Sequence, residues 1–157
     1  MRLTIAELRV GQGVLAISPC PGRAGFYEAD LAAIQQWHPA LVVSLITAEE
    51  LTRTAPDLGA DLSQSGIEWV HLPTADYDTP SKGWAEVSVL ARRELAKRHK
   101  ILLHCMGGCG RSGTAALRLM IEAGESPDAS LNRLRQARLC AVETPEQFLW
   151  ASQADKI

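Results

Sequence analysis

A Gly-rich segment between two apolar stretches constrains the fold of this 157-residue chain more than any other feature. Residues 101–103 (ILL) form a short apolar run typical of a buried strand, and residues 114–121 (TAALRLMI) favour a helix. In the loop between them, Gly107, Gly108 and Gly110 tolerate positive φ angles and close approach of other groups. This order of strand, loop and helix predicts backbone N–H groups that turn inward and bind an anion such as phosphate.

Two side chains of the loop indicate which reaction an anion site would serve here. Arg111 can bind two phosphate oxygens at once, and Cys105 comes directly after the strand. The N–H groups, the positive end of the helix dipole and the guanidinium all favour the thiolate form of Cys105. A thiolate beneath a bound phosphate predicts attack on phosphorus, a cysteinyl-phosphate intermediate and release of an alcohol or phenol.

The spacing H-C-x-x-G-x-x-R-S-G over residues 104–113 resembles the phosphate-binding loop of the cysteine-based protein tyrosine and dual-specificity phosphatases. This resemblance implies that Cys105 and Arg111 are catalytic and that the hydroxyl of Ser112 helps the thiolate leave. It also implies that His104 orients Cys105 through hydrogen bonds and that neither a metal nor another cofactor takes part. The residues expected to bind the phosphate are Met106, Gly107, Gly108, Cys109, Gly110 and Arg111.

Cleavage of a phosphate ester also requires a proton donor for the leaving oxygen. Residues 71–80 (HLPTADYDTP) follow a predicted strand, contain two prolines and are long enough to overhang the loop. They resemble the acid loop of the kinase-associated, cyclin-dependent-kinase-inhibitor-type branch of the dual-specificity phosphatases, which implies that Asp76 is the general acid. Asp78 is the alternative, and both carboxylates could instead only accept hydrogen bonds from turn N–H groups.

Gln147 has two interpretations. It resembles a glutamine that some phosphatases of this group place near the attacking water. Thr144 and Gln147 also have the spacing of a helix capping box, in which each side chain bonds the backbone of the other residue. Thr47 and Glu50 have the same spacing and predict a capping box at the start of the helix at residues 48–53.

The four cysteines are expected to be reduced, because a chain of this size does not need disulfides for stability. A zinc site made from His104, Cys105 and Cys109, with His71 as a further ligand, lacks paired ligand spacings, so no metal site is predicted. Cys109 either fills space in the loop or traps an oxidised Cys105 as a disulfide. Cys20, between two prolines, is expected to be a packed thiol.

The rest of the chain alternates predicted strands and helices, with a loop expected at residues 56–65. This alternation predicts an α/β fold in which helices flank a central, largely parallel sheet, a three-layer sandwich as in the cysteine phosphatases. A single phosphatase domain is expected over residues 1–157. The strands are predicted at residues 3–5, 14–17, 41–46, 67–72 and 101–103, and the helices at 30–37, 48–53, 84–95, 114–121, 126–138 and from 144 onward.

Composition and charge limit the partners and the location. The net charge of -2 and a pI near 6.1, with dispersed basic residues, argue against a nucleic-acid partner. No run approaches the ~18 apolar residues of a membrane span, and Glu7 and Arg9 interrupt any secretory apolar core. We therefore expect a cytoplasmic protein without a membrane partner.

The predicted activity is metal-independent hydrolysis of phosphotyrosine, and alternatively also of phosphoserine and phosphothreonine, in a phosphorylated protein or peptide. Inorganic phosphate is the second product. A small-molecule or lipid phosphomonoesterase is an alternative, although the loop lacks the lysines typical of phosphoinositide-directed relatives. Outside these classes, the chain could be a catalytically silent phosphate-recognising module, or a sulfur transferase of the rhodanese type, which the separate acid loop disfavours.

Overall fold

A five-stranded sheet runs through the computed structural model, which describes residues 2–155 and 157. The strands are β1 (Ala6–Val10), β2 (Gly13–Ser18), β3 (Leu41–Ser44), β4 (Glu68–His71) and β5 (Lys100–His104). The strand order is β1-β2-β5-β3-β4, in which β1 is antiparallel to β2 and all other neighbours are parallel. In the central strand β5, His104 lies opposite Ser18 and Ser44, so three parallel strands end at one edge of the sheet.

Seven helices flank this sheet in the described part of the chain, which confirms the predicted α/β sandwich with a mostly parallel sheet. The first and third helices contact each other where Tyr27 donates to Asp61 at 2.6 Å, and the last four helices pack together. The helices are α1 (Tyr27–Trp37), α2 (Ala48–Thr54), α3 (Leu58–Gln64), α4 (Trp84–Ala96), α5 (Gly110–Glu122), α6 (Pro127–Ala137) and α7 (Pro145–Ser152).

The core lies on both sides of β5. Ile101, Leu102 and Leu103 are each fully buried, as expected for a strand covered on both faces by helices. Helix α5 is buried along its whole length except at Arg118. Because β5 and α5 are both held inside the protein, the loop that joins them has fixed ends.

Two predicted elements are wrong. The first strand lies at Ala6–Val10 rather than at residues 3–5, because its buried side chains alternate with the charged residues Glu7 and Arg9 on an edge strand. Residues 56–65 are not a loop but contain α3, whose Leu58 and Leu62 are fully buried one turn apart.

Helix boundaries also differ from the predicted ones. Helix α5 begins at Gly110, four residues before the predicted start, so Arg111 and Ser112 lie in its first turn. Ser126 occupies the N-cap position of α6 without a capping side-chain hydrogen bond. Within residues 2–155 and 157, none of the helices is long and apolar enough to span a membrane.

Candidate active site

The loop between β5 and α5 leaves the sheet at the edge where the parallel strands end. At Gly108 φ is +72°, and a Cβ there would lie 2.6 Å from the backbone nitrogen of Pro19, so only glycine fits. No backbone carbonyl of the described residues accepts a hydrogen bond from the N–H of Gly108 or Cys109. These donors are free to bind an anion, as the sequence predicts. Five of the six residues predicted to bind the phosphate line one cavity, and Gly108 is the exception.

Cys105 is nearly buried, with 3% of its surface exposed, at the carboxyl end of β5. Its Sγ lies 3.2 Å from Oγ of Ser112, which is fully buried in the first turn of α5. The first-turn N–H groups of α5 have no partners within the helix, so this helix end favours a negative charge on the sulfur. The serine hydroxyl is in position to donate a hydrogen bond to that charge.

His104 is held by a hydrogen-bond chain that defines its tautomer. The carbonyl of Cys105 can only accept, so Nδ1 of His104 donates to it at 3.1 Å. Nε2 then accepts from the hydroxyl of Ser44, which itself accepts from Nε1 of Trp69 at 2.8 Å. Burial of the ring lowers the pKa of His104 to about 4, with a further contribution from His71 and Arg111. His104 is therefore neutral near pH 7, and its ring is hydrogen-bonded to the backbone of Cys105.

The guanidinium of Arg111 is hydrogen-bonded to Glu50, a residue that was not predicted to lie in the site. Nη1 of Arg111 donates to Oε1 of Glu50 at 2.7 Å and to the carbonyl of Thr74 at 2.9 Å, and Nη2 donates to Oε2 of Glu50 at 3.2 Å. The arginine is only 2% exposed, and its Nε has no hydrogen-bond partner among the described residues. A phosphate oxygen would satisfy this buried donor.

Glu50 has two functions at once. It closes the predicted capping box of α2, because its Oε1 accepts from the N–H of Thr47 at 2.9 Å while its own N–H donates to Oγ1 of Thr47 at 3.2 Å. The hydrogen bonds from Arg111, followed by those from Thr47, lower the pKa of Glu50 to about 2 against an opposing effect of burial. The prediction of a capping box at Thr47 and Glu50 is confirmed. Because the capping box accounts for Glu50 within its own helix, nothing in the sequence indicated that Glu50 also contacts Arg111.

Asp76 reaches the cavity and Asp78 does not. Oδ1 of Asp76 lies 3.7 Å from Nη2 of Arg111, and 61% of the Asp76 side chain is exposed. Tyr77, the next residue, has a left-handed backbone with φ of 65°, unusual for an aromatic residue. Both carboxylates also make the local turn contact expected as the alternative, because Oδ1 of Asp78 accepts from the N–H of Thr79 at 2.7 Å and Oδ1 of Asp76 accepts from the N–H of Tyr77 at 3.0 Å.

Gln147 connects α7 with the acid loop. Its Oε1 accepts from the N–H groups of Glu143 and Thr144 at 2.8 and 3.1 Å, and its N–H donates to Oγ1 of Thr144 at 3.0 Å. This confirms the capping-box interpretation. Nε2 of Gln147 donates to the carbonyl of Asp78 at 3.1 Å, so the fully buried amide also anchors the acid loop. A role beside the attacking water stays a prediction.

The expectation of four reduced cysteines is wrong, because Cys109 and Cys140 form a disulfide across 31 positions of sequence. The chain between α6 and α7 passes beside the loop and brings the two sulfurs together. Cys109 is therefore not a free thiol poised to trap Cys105. Cys20 is free and buried, and burial, followed by the charge of Cys105, raises its pKa to about 12, as expected for a packed thiol.

A cavity of about 390 Å³ collects residues from separate segments of the chain. Cys105 and Arg111 line it from the loop, and Asp76 lines it from the segment after β4. Arg138 and Glu143, between α6 and α7, line it as well, and neither was predicted from the sequence. The only available signal was that Glu143 directly precedes the capping box of α7.

A buried thiol in a loop of free N–H groups, backed by an arginine, defines a cysteine phosphatase type of site. Residues 13–149 match the family model described as "PTP-SAK: Swiss Army Knife protein, DSP-PTPase phosphatase domain". The chain belongs to this phosphatase family, as the motif at residues 104–113 implies.

Similarity to individual proteins points to the same branch that the acid loop resembles. The chain is 36% identical over 107 residues to cyclin-dependent kinase inhibitor 3 of Mus musculus, covering 65% of this chain and 50% of that protein. The chain thus spans about half the length of the curated relatives it matches.

Two solved structures have the same fold. A kinase associated phosphatase with its catalytic site cysteine replaced by serine has a TM-score of 0.85 at 23% identity, covering 96% of this chain and 93% of that one. Tk-PTP in its active form has a TM-score of 0.70 at 31% identity, covering 86% of each chain.

Proposed function

We propose that this protein hydrolyses phosphate esters of proteins through a cysteinyl-phosphate on Cys105. The observation that carries this proposal is that Cys105, Arg111 and Asp76 line one cavity, while Nε of the buried Arg111 has no hydrogen-bond partner among the described residues. A nucleophile, an anion-binding group and a proton donor are the parts that phosphoryl transfer requires.

In the first step, the Cys105 thiolate attacks phosphorus, an Sγ–P bond forms and the P–O bond to the leaving group breaks. Asp76 gives its proton to the leaving oxygen. The negative charge on the three peripheral oxygens is stabilised by the loop N–H groups and by Nε of Arg111. Glu50 and the carbonyl of Thr74 hold the guanidinium in place from the opposite side.

In the second step, water attacks the cysteinyl-phosphate while the Asp76 carboxylate accepts its proton. The Sγ–P bond breaks, inorganic phosphate forms and the electron pair returns to sulfur. Ser112 lies 3.2 Å from that sulfur and donates a hydrogen bond to the departing thiolate.

A protein substrate is favoured over a small molecule by the site and by the relatives. The cavity opens at an exposed rim that includes Tyr77, which is 61% exposed, and the side chain of Asp76. Two similar proteins, cyclin-dependent kinase inhibitor 3 and a kinase associated phosphatase, have names that refer to kinases. We therefore propose phosphotyrosine, phosphoserine or phosphothreonine in a folded or flexible protein segment as the substrate.

The test is hydrolysis of para-nitrophenyl phosphate in the presence of EDTA by the wild type, Cys105→Ser and Asp76→Asn. Cys105→Ser should abolish turnover. Asp76→Asn should lower kcat by about 10²- to 10⁴-fold for alkyl phosphates and far less for this activated aryl ester, whose leaving group needs no proton. Equal losses on both esters would remove Asp76 from the acid role, and phosphate binding without wild-type turnover would instead indicate a silent recognition module.

Phosphopeptides then separate the substrate classes. The matched set is one peptide sequence phosphorylated in turn at tyrosine, serine and threonine, compared with a soluble inositol phosphate. Higher kcat/KM for the peptides supports a protein substrate. A preference for the inositol phosphate would refute it.

A further inference from the structure

Residues 135–142, at the end of α6 and beyond it, contact the outer side of the phosphate-binding loop, and we call this segment the brace. Arg138 of the brace donates from Nη2 to the carbonyl of Gly107 at 3.0 Å and from Nε to the carbonyl of Gly108 at 3.1 Å. The N–H of Val142 donates to the carbonyl of Cys109 at 3.1 Å. Three consecutive loop carbonyls thus bind one segment.

These contacts determine where the loop N–H groups point. In a trans peptide the C=O and the following N–H lie on opposite sides of the chain. Because the carbonyls of Gly107, Gly108 and Cys109 face the brace, the N–H groups of the next residues face away from it. Two of these next residues, Cys109 and Gly110, line the cavity together with Cys105, and Arg138 of the brace also reaches it. The brace therefore orients the donors that bind the phosphate.

The brace is itself held in a conformation that the chain does not adopt readily. Val142 is buried and has φ of 68°, a left-handed conformation that is unfavourable for a β-branched residue. Arg135 donates from Nε to the carbonyl of Ala141 at 2.9 Å and from Nη2 to the carbonyl of Val142 at 2.8 Å. A Cβ on Gly113 would lie 2.7 Å from the nitrogen of Val142, so α5 also packs directly against the brace.

The disulfide is the one covalent link between the brace and the loop within residues 2–155 and 157. It joins Cys140 of the brace to Cys109, whose carbonyl also accepts from the N–H of Gly113. Cys140 is exposed, so a reductant can reach it, whereas Cys105 is buried and outside this bond. Reductive compartments keep most accessible disulfides open.

We propose that the brace is a positioning element for the phosphate-binding loop, and that reduction of the Cys109–Cys140 disulfide lowers the affinity of the loop for phosphate. The inference rests on the proposed function, because it treats the loop as a phosphate site. Reduction adds two electrons and two protons to the disulfide and yields two thiols. It leaves the nucleophile Cys105 unchanged. Because the disulfide ties the loop to the brace, the oxidised protein binds phosphate more tightly than the reduced protein.

The experiment measures the Kd of inorganic phosphate by calorimetry for the full chain before and after treatment with a trialkylphosphine. The phosphine is oxidised to its oxide as the disulfide is reduced. In the wild type, reduction should raise the Kd about 5- to 10-fold, at the lower end of ordinary coupling between sites. Cys140→Ser should have the higher Kd with or without the phosphine.

A second variant tests the arginine of the brace without changing its charge. Arg138→Lys cannot donate to two carbonyls in a fixed geometry and should raise the Kd of the oxidised protein. Arg53→Lys, a matched change at an exposed position in α2, should leave the Kd unchanged. Melting temperatures of all variants establish that they remain folded during the titration.

An equal Kd in oxidised and reduced wild type would overturn the proposal, as would a phosphine effect of the same size in Cys140→Ser. Phosphate binding is measured without turnover, so the two proposals fail separately. An inactive protein with a redox-dependent Kd refutes only the phosphatase activity. An active phosphatase with a redox-independent Kd refutes only the role of the brace.

Discussion

Glu50→Gln tests how much of the site depends on the carboxylate behind Arg111. The substitution keeps the size and the hydrogen-bonding shape of the side chain and removes its charge. The guanidinium of Arg111, which is 2% exposed, then remains buried beside a neutral amide. A buried charge that loses its partner is strongly destabilising.

The magnitude follows from the pKa of Glu50. Hydrogen bonds from Arg111 and Thr47 lower that pKa from 4.5 to about 2. This lowering corresponds to about 3 kcal/mol of stability, and the 16% exposure of the side chain reduces it only partly by solvent screening. We expect Glu50→Gln to lower the free energy of unfolding by about 2–4 kcal/mol at pH 7. The melting temperature should then fall by roughly 5–15 °C.

The pH dependence distinguishes this charge effect from a packing effect. Because the folded-state pKa of Glu50 is lowered, its contribution is fully present above about pH 4.5 and is lost as the pH falls toward 2. At pH 3 the difference between wild type and Glu50→Gln should be smaller by about 2 kcal/mol than at pH 7.

The assay is urea unfolding at both pH values, together with kcat/KM on para-nitrophenyl phosphate at pH 7. The matched control is Glu49→Gln, an exposed change in the same helical turn that should cost less than about 0.5 kcal/mol. If Glu50→Gln displaces the guanidinium of Arg111, kcat/KM should fall by up to about 100-fold. A stability loss no larger than that of Glu49→Gln, or one that persists undiminished at pH 3, would refute the reasoning.

Three further substitutions test other contacts of the site. Ser112→Ala should slow hydrolysis of the intermediate roughly 100-fold, so a burst of para-nitrophenol should precede a slow steady state; a lower rate without a burst contradicts this role. Ser44→Ala leaves the indole N–H of Trp69 and Nε2 of His104 without partners and should lower the free energy of unfolding by about 1–3 kcal/mol in chemical denaturation. An unchanged denaturation midpoint would argue against the hydrogen-bond chain through Ser44. Gly113→Ala places a methyl group against the brace and should cost about 1–3 kcal/mol, measured by thermal unfolding, and a neutral result would mean that α5 and the brace separate readily.

Features that depend on neighbouring residues could be predicted from the sequence. The apolar run at residues 101–103 forms the central strand, because a strand covered on both faces needs side chains that are apolar throughout. The capping boxes at Thr47 and Thr144 also form as predicted, since each closes within one turn of helix. The spacing of residues 104–113 places Cys105, Arg111 and Ser112 together for the same reason, as strand, loop and helix follow directly in the chain.

Features that join distant segments became visible only in the folded chain. Glu50 meets Arg111 across 61 positions, and Cys140 meets Cys109 across 31. No local pattern marks either pair, because the contact depends on how α2 and the brace pack beside α5. Helix α3 was missed because its two buried leucines are recognisable as a face only once β4 is in place. Local sequence thus specified the groups that we propose to react, whereas long-range packing decided which residues hold them in position.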